Sequence, residues 1–167
     1  MVTSAAPLVD DIWTILGTVL DPEVPALSVV DLAIVRHVHV HGNVVVIDVT
    51  PTYSGCPATQ EIERLILEAL AAHGMSDVRV NTVFTPAWTT DWMTDRAREK
   101  LRRYGIAPPG RVEDQRFVPL MRRGAALACP FCDSRQTAVR SDFGSTACKS
   151  LQYCNSCHQP FEHFKAF

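Results

Sequence analysis

The sequence has no uninterrupted apolar run near the roughly 18 residues that a membrane-spanning helix requires. Met1 to Pro7 carries neither the basic start nor the apolar middle of a secretory signal, so the cytoplasm is the expected compartment. A charge excess is also lacking. With 20% charged against 47% apolar residues and a formal net charge of -2, the chain has too little charge for a disordered segment or a dedicated nucleic-acid binder. No repeat or low-complexity tract occurs. Paired Glu-x-x-His helices, a Gly-rich dinucleotide turn and a ferredoxin cysteine run are all missing, which leaves oxygen activation at di-iron and hydride transfer without their ligands. Cysteine is nearly absent before residue 129, where only Cys56 occurs, and the other five follow.

What is present is enough apolar side chain for a packed core, in one domain or two small ones. Charge is divided along the chain: residues 1 to 90 carry ten acids and three bases, residues 91 to 125 five and nine, and the rest three and four. The segment charges of -7, +4 and +1 usually mean only solvated faces, and they also suit docking onto charged partners. Asp10 or Asp11 can cap a helix whose apolar stripe is Ile12, Ile15, Leu16, Val19 and Leu20, stopping before Pro22. Ile34 to His41 and Val44 to Val49 read as a hairpin around His41-Gly42-Asn43. A second amphipathic helix spans Pro57 to His73 and closes near Gly74. A third strand follows at Val78 to Phe84. Strand, helix and strand in that order favour a right-handed crossover, which makes the second and third strands parallel neighbours with helices on one sheet face. Thr90 to Tyr104 reads as one further helix ending at Gly105. Residues 106 to 125 read as a linker in which Phe117, Val118, Leu120 and Met121 could form a short strand.

Cys129-Pro-Phe-Cys132 and Cys154-Asn-Ser-Cys157 each present two sulfurs from a tight turn, and the 21 residues between them suffice for a hairpin that joins the turns. This is zinc-ribbon spacing: four thiolates complete a tetrahedral ion and leave no position for substrate, so the site is expected to be structural. Iron or an iron-sulfur cluster on the same ligands, and unpaired buried thiols, are the competing readings. The extra thiol Cys148 is expected to be a small core residue. His158 is expected to face solvent or donate to a ligand, and His163 also lies near the site in sequence. Tyr153, Phe161 and Phe164 would suit base stacking, but the ribbon charge of +1 speaks against nucleic acid.

Cys56 stands alone in Thr50-Pro-Thr-Tyr-Ser-Gly-Cys-Pro57 between the second strand and the second helix. The pattern places Cys56 at the N-cap and Pro57 at the first helical position, where free backbone N–H groups would stabilise a thiolate. It reads either as a nucleophile or soft-metal ligand, or as a thiol that merely fits. His37, His39 and His41 alternate on one strand and so share one sheet face, which would suit a metal site, but with no carboxylate or cysteine nearby in sequence, and with Ile34, Val38 and Val40 defining the inward side, they are expected to face solvent. Trp88 and Trp92 are expected to be core anchors, although an aromatic pair beside charge could also anchor a protein partner.

Asp21-Pro-Glu-Val-Pro, Ser28-Val-Val-Asp-Leu32, Thr50 to Ala58, Pro86-Ala-Trp-Thr-Thr-Asp-Trp-Met93, Phe143-Gly-Ser-Thr-Ala-Cys-Lys149 and Pro160-Phe-Glu-His-Phe-Lys165 together resemble the D-subunit family of bacterial phenylacetyl-CoA epoxidase systems. The amino-terminal part is similar to a small iron-sulfur assembly accessory domain. The fold class expected is thus α/β, a small three-stranded sheet with helices on one face over residues 1–105, a linker over 106–125, and an all-β zinc ribbon over 126–167. The resemblance implies an accessory that assists maturation of the epoxidase, with the reductase or the oxygenase subunit as partner, and not the epoxidation catalyst itself. A non-catalytic structural subunit or chaperone that handles no metal is the alternative. It further implies Cys56 as the reactive thiolate that transiently holds iron or a cluster, with Asp21, Glu23 and Thr50 as supporting positions whose roles could be loop capping alone. Structural zinc on Cys129, Cys132, Cys154 and Cys157 is the expected cofactor; neither nucleic acid nor membrane is an expected partner, and a homodimer is compatible with the sequence. One departure is visible: the family pattern has Leu-Gly where this chain has Leu32-Ala33, which extended backbone would accommodate and a positive φ would not.

Overall fold

A computed structural model describes residues 8–53, 55–112 and 127–167. The chain divides into two compact units, Met1–Trp88 and Thr89–Phe167. Residue 105, the expected end of the first domain, falls inside the second of these units, and residues 113–125 of the expected linker lie outside the described residues.

The first unit begins with α1 (Val9–Leu16), in which Ile12 and Leu16 are fully buried. Leu8 occupies the N-cap with no side-chain bond, so Asp10 and Asp11 lie in the first turn, where they face the positive helix end, and do not cap. The helix also stops sooner than its apolar stripe, because Gly17 closes it and the chain turns back to bridge Leu20 with Ser28. Val19 stays buried, but Leu20 is left half exposed. The loop between is held from within. Asp21 Oδ1 accepts from the Glu23 and Val24 N–H groups at 2.9 and 2.6 Å, and Ser28 and Asp31 bond reciprocally through Ser28 N–H to Asp31 Oδ2 and Asp31 N–H to Ser28 Oγ.

Strands β1 (Val35–His41) and β2 (Val44–Val49) form the antiparallel hairpin, with Gly42 at φ +62° in the turn. A bulge at Arg36 shifts the register so that His37 faces Asp48. Helix α2 (Ala58–Ala72) crosses over to β3 (Val78–Thr82), which pairs parallel with β2. The order β1-β2-β3 is the three-stranded sheet expected from the sequence. Ile62, Ile66 and Leu70 of α2 are buried, as are Val45, Ile47 and Val49 of β2, while the alternate β2 residues lie on the more open face. Each such side chain contributes roughly 2 kcal/mol of burial. Trp88 anchors the end of the unit, its indole Nε1 donating to the Leu32 carbonyl at 2.8 Å.

The second unit starts with a 3₁₀ turn, Thr90–Trp92, and α3 (Asp95–Arg103). The single helix expected over Thr90 to Tyr104 is split because Met93 is extended and Thr94 caps a fresh helix, accepting from the Ala97 N–H at 3.2 Å. Gly105, at φ +90°, releases the chain into β4 (Ile106–Ala107), which pairs parallel with β7. Two residues of the expected linker are thus a strand, and this pairing assigns α3 and β4 to the second unit. Strands β5 (Thr137–Ser141), β6 (Lys149–Cys154) and β7 (Pro160–Phe164) complete a sheet of order β4-β7-β6-β5. The short strand considered at Phe117 to Met121 lies outside the described residues. Among the described residues no helix is long and apolar enough to cross a membrane.

Candidate functional site

Two copies of one backbone device build the metal-ligating cluster. In the first turn the Asp133 N–H donates to the Cys129 carbonyl and the Cys129 N–H to the Ser134 carbonyl, both at 3.0 Å. In the second, the His158 N–H donates to the Cys154 carbonyl and the Cys154 N–H to the Gln159 carbonyl, again both at 3.0 Å. Asp133 and His158 occupy the same place in each turn and share a left-handed backbone, with φ +62° and +60°. Asp and His tolerate that region better than most residues. The β5–β6 register, with Thr137 opposite Cys154, and the Asn155 N–H bond to the Gln136 carbonyl bring the turns together.

The four sulfurs lie within 4.8 Å of one another. Cys129 Sγ is 3.7 Å from Cys157 Sγ, and Cys132 Sγ is 3.6 Å from Cys154 Sγ. Tetrahedral ligation with metal–sulfur bonds of about 2.3 Å places sulfurs about 3.8 Å apart, so these two pairs already have the spacing that one shared metal ion requires. Cys129 and Cys154 are buried with Phe161 and Ala107, while Cys132 reaches the surface. The thiols also compete for charge. The Cys157 backbone N–H leads the effects that bring Cys154 down to about 7. At Cys132 the Ser134 N–H acts to lower the thiol, but burial and the three neighbouring sulfurs prevail and raise it to about 12. Burial raises Cys157 as well. Four such groups become thiolates together only around a cation.

The other histidines and the extra thiol stand apart from this cluster. Cys148 is buried and lies 3.0 Å from Thr146 Oγ1. His158 is exposed, with Nδ1 3.4 Å from the Tyr153 hydroxyl. His163 is held against Ser150 Oγ at 3.4 Å, and its buried Nε2 has no hydrogen-bond partner among the described residues. Burial, and secondarily Lys165, pushes its imidazole down to about 4. Phe161 and Phe164 are buried core residues and are not available for stacking. Residue patterns did not single out the Lys149–Glu162 ion pair. Lys149 Nζ lies 3.1 Å from Glu162 Oε2 and is almost fully buried, while Glu162 Oε1 accepts from the Ser145 N–H at 2.6 Å. Burial works to raise the Glu162 carboxyl, but the Ser145 and Lys149 bonds prevail and lower it. The available signal was a lone lysine opening a strand whose other residues are largely buried.

Cys56 is partly exposed and sits one residue earlier than expected. Pro57 takes the N-cap in α-helical geometry, and the Cys56 carbonyl accepts from the Thr59 N–H and hydroxyl at 3.3 and 3.0 Å. Gly55, at φ +84°, turns the chain into it. Asp21 shapes its own loop through the two bonds described above, and Thr50 is buried with its N–H on the Ile34 carbonyl. Ala33 has φ +53°, so the Leu32-Ala33 departure does meet a positive φ, which the chain accommodates with an alanine.

The first unit has the form of an iron-sulfur assembly domain, and the second carries a zinc ribbon. Residues 9–83 match the family described as iron-sulfur cluster assembly protein, and residues 114–165 match the PaaD zinc beta ribbon domain. An Escherichia coli (strain K12) protein described as the D-subunit of 1,2-phenylacetyl-CoA epoxidase is 47% identical over 99% of this chain and 97% of its own length. The chain belongs to that D-subunit family. A Porphyromonas gingivalis Fe-S protein maturation auxiliary factor is 33% identical over 55% of this chain and 89% of its own. A solved domain of unknown function from Bacillus anthracis shares 28% identity with a TM-score of 0.52, over 55% of this chain and 89% of that one.

Proposed function

We propose that this chain is a maturation accessory of a phenylacetyl-CoA epoxidase, with Cys56 handling iron or an iron-sulfur cluster as cargo and the ribbon serving as a zinc-stapled scaffold. The observation that carries the reading is the combination within one chain of a unit similar to iron-sulfur maturation factors and a ribbon similar to that of an epoxidase subunit. Zinc is the ion favoured for the ribbon because four thiolates around a closed tetrahedron suit a borderline-soft, redox-inert dication. Cys56, at a partly exposed turn, is free of the ribbon cluster and open to a client. Asp21 and Thr50 support it by fixing the loops of the first unit, and Glu23 acts with Asp21. The clients are other epoxidase subunits, the reductase or the oxygenase, in the cytoplasm.

One observation favours a second reading, an assembly scaffold that handles no metal. Among the described residues the ribbon cysteines are the one place where three or more ligating groups converge, so Cys56 needs the client or a second chain to complete a ligand set. Replacing the gene in cells growing on phenylacetate with Cys56→Ser separates the two. The maturation reading expects epoxidase subunits purified from those cells to be depleted in iron, with the accessory itself still folded and zinc-loaded. Iron content equal to wild type contradicts it and leaves the scaffold.

A further inference from the structure

The open face of the first sheet carries a group of ligating side chains that neither the ribbon nor Cys56 uses. His37, His39 and His41 project from β1 with ring centroids 5.9 and 6.4 Å apart and interplanar angles of 29° and 16°. The bulge at Arg36 sets His37 directly opposite Asp48 on β2, and His39 Nε2 lies 3.7 Å from Asp48 Oδ2. The carboxylate is oriented from its other side, since Asn81 Nδ2 of β3 donates to Asp48 Oδ1 at 3.2 Å. Arg79 of β3 also lies along this face, opposite Val46, which in turn stands opposite His39, and Arg36 adjoins His37 at the bulge.

We propose that His37, His39 and Asp48 form an exchangeable site for a first-row transition-metal dication. Two imidazoles and a carboxylate are borderline and hard donors of the kind that hold iron(II), cobalt, nickel or zinc with open positions left for water. His39 already approaches Asp48 at 3.7 Å, but the three donors are not all mutually within 4.8 Å, since among the described residues only the ribbon cysteines are. His37 and His39 are exposed, so the movement asked of them is a side-chain rotation. His39 is 52% exposed, lies between the His37 and His41 rings and already faces Asp48, and rotamer changes at the surface are fast. The site contrasts with the ribbon in every respect that governs exchange: it is open, partly hydrated and built on nitrogen and oxygen. It is independent of the proposed role of Cys56.

The test uses the full, zinc-loaded chain and nickel(II) as probe, read by calorimetric titration at pH 7.5 together with the imidazole NMR signals. The expected result is saturable uptake at a single class of site beyond the zinc, with the His37 and His39 signals broadened first. His39→Gln and Asp48→Asn should each weaken uptake at least about tenfold, since losing a direct ligand costs no less than losing a group behind one. His41→Gln should change it less, because His41 is not a ligand of the proposed site. All these side chains lie on the open sheet face, so zinc content serves as the check on folding. Equal affinity in wild type, His39→Gln and Asp48→Asn overturns the proposal. So does a pattern in which the three histidines are interchangeable and Asp48→Asn has no effect, because that is plain histidine chelation without a built site.

Discussion

Ala33 holds φ +53°, a conformation in which an L side chain crowds the following carbonyl at a cost of about 1 kcal/mol. Glycine escapes that crowding but loses more freedom on folding. Ala33→Gly should therefore raise the stability of the first unit by up to about 1 kcal/mol in urea denaturation, and a loss of stability would contradict this account of the turn. The motif departure at Leu32-Ala33 was visible in the residues, but its backbone angle was not, since it depends on the Ser28 and Asp31 bonds and on Trp88 gripping the Leu32 carbonyl. His163 was legible only as a histidine near cysteines. Its burial, set by the strands packed around β7, keeps the imidazole neutral down to about pH 4. The folded form thus binds its proton less readily than the unfolded chain, whose imidazole titrates near 6.5. Stability should fall as pH drops from about 6.5 toward 4 and the loss should then level off. His163→Phe should flatten that slope, as seen by comparing denaturation midpoints at pH 7.5 and 5.

In the first unit α2 follows from its period-3.6 stripe, Ile62, Ile66 and Leu70, and β2 from an apolar run whose alternate residues are buried, whereas the early end of α1 at Gly17 and the bulge at Arg36 have no such pattern. The second unit was harder to read. Thr94 looked like one more residue of a long helix, yet its hydroxyl starts α3, and Thr94→Ala should cost about 1 kcal/mol. The β5–β6 connection is a built loop rather than a free one. The Gly144 N–H donates to the Lys149 carbonyl at 2.8 Å, and Glu162 receives the Ser145 N–H while pairing with buried Lys149. A Cβ at Gly144 would lie 2.6 Å from Glu162 Oε1. Glu162→Gln removes the carboxylate 3.1 Å from the buried Lys149 ammonium, a loss of up to about 3 kcal/mol, less some relief because the carboxylate is partly exposed. Gly144→Ala should disturb the same pair and act in the same direction. Thermal unfolding of the metal-loaded protein measures both, and midpoints equal to wild type would contradict the role given to this pair. The pairing joins residues 13 apart across β6 and β7, a contact that no local pattern encodes.

Across the whole molecule, the sequence revealed the ribbon through four cysteines at fixed spacing and the first unit through its strand, helix and strand order. It did not reveal the division at Trp88, since the two-residue strand β4 has no pattern of its own and gains its meaning from β7. The ribbon core is small, with Cys129 and Cys154 themselves among its buried residues, so metal binding there is also folding free energy. The first unit has a core of its own. The most direct test is metal content per chain after anaerobic purification of wild type, Cys154→Ser and Cys56→Ser, each followed by hydrogen exchange. The account predicts about one zinc per chain in wild type and in Cys56→Ser. It predicts loss of zinc and of β5–β7 protection in Cys154→Ser, with protection of β1–β3 retained. Wild-type protein without stoichiometric metal, or zinc lost with Cys56→Ser, would contradict it.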